Sequence, residues 1–185
     1  MQALDAPAAP PRTYADWSCW LAAFAKANCD GELLRLAGES RTEWTAAVAQ
    51  MFGARMHRAM TDRLDAVGRR LSGRLQGCAS EAALTLALVQ ARQEFQALAR
   101  FAELRVLPQA LRDGLESLVR DHLDGTQKAL EKAAVADRTG RFALVLRRSP
   151  VNQPPAVEAA PRPPARLDAA PPSGRRVMMD EDHGA

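Results

Sequence analysis

Proline is the residue a helix interior tolerates least, because it lacks a backbone donor and its ring clashes with the preceding turn, costing about 3 kcal/mol. Of the twelve prolines in this chain of 185 residues, eleven lie in residues 1–11 or from Pro150 onward. Pro108 alone stands between Arg12 and Ser149. The long middle of the chain is therefore free to be helical, with one built-in interruption. Its composition agrees, since Ala, Leu, Arg, Gln and Glu dominate it and all favour helices. The Pro/Ala-rich stretch after Pro150 has few large apolar residues. It cannot bury enough surface to offset the entropy of ordering, so a disordered tail is expected there. The organisation that follows is a flexible segment over 1–12, a helical domain over 13–137 and a tail over 138–185 containing a short apolar segment, 142–146. The expected fold class is all-α, an elongated bundle of about three to four amphipathic helices. Aromatics make up only 5% of the chain, which predicts a thin core.

Local signals place the helices. Thr13 or Asp16 can cap the first, whose apolar face reads Trp17, Trp20, Leu21 and Phe24 at spacings of three and four. Asn28, Cys29, Asp30 and Gly31 weaken it, and a bend is expected there; Gly38 is a second weak point. From Trp44 a long stripe begins: Val48, Phe52, Met56, Met60, Leu64, Val67, Leu71, Leu75 and Cys78 follow in steps of three or four. The mean step of about 3.8 residues exceeds 3.6, so the stripe drifts slowly around the helix. Gly77 is expected to end this helix by taking a positive φ, and Ser80 to cap the next at Glu81. Leu84, Leu88, Ala91, Phe95, Leu98 and Ala102 then alternate steps of four and three. Leu86, Val89 and Phe101 lie off that line, giving a wide apolar face suited to burial in a bundle or adsorption to a surface. Pro108 disfavours helix at Leu107 and can open a final helix carrying Leu111, Leu115, Leu118, Val119 and Leu123. The run RFALVLRR, 141–148, is compatible with a strand, a partner-binding segment or a membrane-surface patch.

Chemistry-bearing patterns are sparse. His57, His122 and His183 are isolated, and Cys19, Cys29 and Cys78 form no metal-ligand spacing. No phosphate-binding glycine motif occurs. Cys78 reads as a small buried apolar residue at a helix joint, and no cofactor is expected. The odd cysteine count, the absence of a secretory leader and the lack of a long apolar run predict a reduced, cytoplasmic setting without a transmembrane segment. With 25 Lys and Arg against 22 Asp and Glu, the net charge of +3 is modest. Arg55, Arg58, Arg63, Arg69, Arg70 and Arg74 form a row interrupted by Asp62 and Asp65. It reads as a solvated face, and nucleic acid is an unlikely partner because no aromatics interleave with it. Met51, Met56 and Met60 add adaptable apolar volume.

Two stretches, ANCDGELLRLAGESRTEW and RRLSGRLQGCASEAALTLALVQARQEF, resemble the phasins, helical proteins that coat polyhydroxyalkanoate storage granules. The resemblance spans about 17–130 and rests on Leu71, Leu75, Cys78, Ser80, Leu88, Gln90 and Phe95. It implies a non-enzymatic amphipathic protein that binds a hydrophobic polymer surface and forms homo-oligomers by pairing stripes between copies. The expected contact residues are Met56, Met60, Leu64, Leu71, Leu84, Leu88, Phe95 and Leu98. The alternative is a helical regulator or chaperone that uses the same stripes to hold a protein partner, as in a secretion or transcription system. The 141–148 run and the acidic MMDEDHGA end lean toward that alternative.

Overall fold

The computed structural model describes residues 7, 9–26, 30–137 and 139–152. Among them every regular element is an α-helix: α1 (Tyr14–Ala25), α2 (Asp30–Gly38), α3 (Ala46–Gln76), α4 (Glu81–Ala102), α5 (Gln109–Ala136) and α6 (Arg141–Arg148). The count corrects the expected three to four. α2 stands apart from α1, and the 141–148 run is itself a helix. The bend expected at Asn28 and Cys29, and the tail from 153 onward, lie outside the described residues.

The helix boundaries follow from local chemistry. Thr13 and Asp16 cap α1 together: the Thr13 hydroxyl accepts from the Asp16 amide at 3.2 Å, and the Asp16 carboxylate accepts from the Thr13 amide at 2.9 Å. This reciprocal arrangement satisfies two amides that the helix itself leaves free. Thr45 caps α3 through the Val48 amide, and Ser80 caps α4 through the Ala83 amide. Pro108 occupies the cap position of α5, where its missing donor costs nothing. One expectation fails here. Gly77 has φ −94° and closes α3 with a tight bond from its amide to the Arg74 carbonyl, so the turn needs no left-handed residue. The residue that does need glycine is Gly140, at φ 68°, immediately before α6.

α4 lies at the centre, packing against α2, α3, α5 and α6. That position explains its wide apolar face. Leu88, Phe95 and Leu98 serve one side, and Phe101, off the line, is equally buried. The core is not thin. Trp17, Trp20, Phe24, Trp44, Phe52 and Phe101 form a connected aromatic cluster with ring centroids 4.7–5.8 Å apart. Few aromatics suffice because most of them are gathered in one place, where each pair contributes about 0.5–1.5 kcal/mol beyond its buried area. The indole N–H groups are satisfied as well: Trp20 donates to the Leu33 carbonyl at 2.9 Å, Trp17 to the Thr42 hydroxyl at 2.7 Å, and Trp44 to the Val106 carbonyl at 2.7 Å.

Candidate functional site

The eight residues singled out as a contact surface are brought together, but in the interior. Met56, Met60, Leu64 and Leu71 of α3 and Leu88, Phe95 and Leu98 of α4 are each at most 2% exposed. Leu84 is half-buried and packs against the same cluster. The stripes of α3 and α4 thus face each other within one chain. The geometry that would have paired them between copies, or laid them on a polymer, is already satisfied internally. Met51, at the edge of the long stripe, is half-exposed.

The arginine row departs from the solvated face expected of it. Arg63 makes a two-pronged bond to Asp30, at 2.8 and 2.6 Å, and lies 4.6 Å over the Phe24 ring. Arg55 donates to the Tyr14 and Ser18 hydroxyls at 3.1 Å. Arg70 and Arg74 both bind Glu94 of α4, Arg74 at 2.9 Å. Burial pushes the Glu94 carboxyl up, but the bonds and charges of the two guanidinium groups outweigh it and hold the group below its ordinary value. Four of the six arginines therefore tie α3 to α1, α2 and α4, while Arg58 and Arg69 face solvent.

Among the described residues, no group of three or more His, Cys, Asp or Glu side chains is placed to hold a metal ion. His122 donates from Nδ1 to the Leu118 carbonyl one turn back on α5, at 3.0 Å, and its Nε2 lies 3.4 Å from the Asp65 carboxylate of α3. Cys78 sits at the α3–α4 joint as expected but is half-buried, not buried, and its thiol donates to the Arg74 carbonyl at 3.2 Å. No described helix is long and apolar enough to cross a membrane.

The surface that sequence reasoning left undecided lies at α5 and α6. Asp137 accepts from the Thr139 and Phe142 amides, both at 3.0 Å, which starts α6 and holds the carboxyl below its ordinary value. Val145 and Leu146 are buried, and α6 packs on α4 and α5. The chain beyond α6 is pinned down too. Gln127, almost fully buried, accepts from the Val151 amide at 3.0 Å and donates to Glu131 at 2.9 Å, and Arg92 donates to the Pro150 carbonyl. Gln127 carried no sequence signal; a lone glutamine on a helix gives no hint that its amide will clamp a distant segment. Between the two helices runs a groove of about 370 Å³ lined by Ala134, Val135, Ala143, Leu146 and Pro150 together with the polar Gln127, Glu131 and Arg147. On the two helices Val135 is 88% exposed and Leu144 51%.

Compared with protein-family models, with curated proteins and with solved structures, the chain matches none.

Proposed function

We propose that this chain is a non-enzymatic helical module that binds a protein partner with the outside of an intact bundle. The observation that carries the reading is the burial of the α3 and α4 stripes against each other. A coat acting through those stripes must break its own core to expose them, whereas a bundle binding through its surface need not. The reading keeps the regulator or chaperone class suggested by the 141–148 run and moves the contact away from the stripes.

A phasin-type coat is the second reading, and one feature favours it. Gly68, Gly73, Gly114 and Gly125 sit inside α3 and α5, yet a Cβ at any of them would meet nothing within 4 Å. Each lowers helix stability by roughly 0.5–1 kcal/mol relative to alanine without a packing reason, so the bundle is easier to open than it needs to be. Opening would let the stripes spread on granule polymer, driven by burial at about 25 cal/mol per Å².

Co-sedimentation with amorphous polyhydroxybutyrate particles, at low and high salt, separates the two. The surface-binding reading expects protein in the supernatant with its near-ultraviolet circular dichroism unchanged. Pelleting that resists salt, accompanied by loss of that aromatic signal, would overturn it in favour of the coat, because all three tryptophans lie in the cluster that opening would disrupt.

A further inference from the structure

Resting on the protein-binding reading, we propose that α6 with residues 149–152 is a strap that opens as a unit, and that the seam it leaves between α4 and α5 seats a short amphipathic helix of the partner. The present occupant shows what the seam accepts, because α6 packs on both helices. It is an eight-residue helix that buries two adjacent aliphatic side chains, Val145 and Leu146, with Val151 buried shortly after it.

α6 is fastened differently from the other helices. α3 is joined to α2 by Arg63 and Asp30, to α4 by Arg70 and Arg74 on Glu94, and to α5 by Asp65 and His122. Among the described residues no ion pair joins α6 to another helix. Beyond its apolar anchors, it is held at the far end. There Gln127 accepts from the Val151 amide, Arg92 donates to the Pro150 carbonyl, and Asn152 donates to Asp124 at 3.3 Å. At the near end the Asp137 carboxylate bonds only Thr139 and Phe142, so these contacts stay within the turn and cross to no other helix. The closed state is also imperfect. The groove of about 370 Å³ leaves Ala134 of α5 and Leu146 of α6 incompletely packed against each other. Arg92 Nε is buried without a hydrogen-bond partner among the described residues, and opening returns it to water. A helix of eight residues is marginal alone, so loss of the anchors melts it and the strap lets go as one piece. The aromatic cluster of α1, α3 and α4 has no member in the strap and stays closed.

The strap and a partner helix compete for one seam. A seam open for only a fraction of the time binds a second helix weaker by that fraction, so loosening the strap raises the apparent affinity.

Two measurements on the full chain test this. In native-state hydrogen exchange, the amides of residues 142–152 should exchange together and at least tenfold faster than those of residues 84–98 in α4. Exchange at the α4 rate overturns the proposal, since the strap would then open only with the whole fold. Exchange is the measurement of choice because eight helical residues are too few to separate two urea midpoints. The second measurement uses a fluorescein-labelled peptide of residues 137–152 as the competing helix, read by anisotropy. It should bind the chain carrying Val145→Asp with Leu146→Asp at least tenfold tighter than the unaltered chain. A peptide carrying the same two changes should bind neither. Gly140→Ala is the milder second variant: it strains the turn at φ 68° and touches neither the anchors nor the seam, and it should raise affinity in the same direction. Equal binding to all three chains, or binding to none, overturns the proposal. If that happens with no pelleting on polymer, the strap is lost and the protein-binding reading stands; pelleting with loss of the aromatic signal sinks the reading itself.

Discussion

Glu94 of α4 binds both Arg70 and Arg74 of α3, and its titration bears on how firmly the two central helices are held. Because its folded pKa lies below the ordinary value of about 4.3, the group stabilises the fold fully above that value. The contribution is lost as pH falls through the lower, folded pKa. Glu94→Gln should therefore cost about 1 kcal/mol at neutral pH, the scale of a partly exposed pair. The gap from the unaltered chain should narrow as the pH falls below about 4.3, where the unfolded carboxyl takes up its proton, and close once the pH is below the lower, folded value. Urea titrations at pH 7 and pH 3 measure both; a difference that does not change with pH would show that the carboxylate's charge is not what matters. Arg63 illustrates why such roles escape a sequence. Its bidentate partner, Asp30, lies 33 residues away, and only folding brings them together.

At the scale of the helix, the glycines are the features with the clearest consequence. Gly53 differs from the other four, because a Cβ there would lie 3.5 Å from Leu111, within ordinary contact. Replacing Gly68, Gly73, Gly114 and Gly125 together by alanine should raise stability by about 0.4–1 kcal/mol per site, since helical φ and ψ are already suited to alanine. Denaturant midpoints of the single and combined variants check this; a loss of stability at any site would reveal a close neighbour that the packing does not show. α6 presents the opposite case. An eight-residue helix is marginal alone, and this one exists because Asp137 caps it, Gly140 adopts a left-handed turn before it, and Val145 and Leu146 bury against α4 and α5. None of those three causes is visible as periodicity in RFALVLRR.

For the molecule as a whole, α1 to α6 contribute to one connected hydrophobic cluster. A single core predicts a single cooperative transition. Tryptophan fluorescence reports the cluster of Trp17, Trp20 and Trp44, while far-ultraviolet circular dichroism reports all helices, α5 and α6 included. The two should unfold with the same urea midpoint. Separate midpoints would show that the α5–α6 end opens independently of the aromatic end.

What the sequence determined by itself is everything set by short-range chemistry. Thr13 and Ser80 mark the starts of α1 and α4, Pro108 opens α5, and the step of three and four names the residues that must leave water. These depend on backbone donors and side-chain spacing within a turn or two, which a reader of the chain can see. The tertiary structure alone decided where the named residues went. A stripe of leucine and methionine is equally able to cover a polymer, a partner or another stripe, because apolar burial is non-directional and responds only to area removed from water. In this fold α4 supplies that area to α3, so the residues expected to meet a partner became the core.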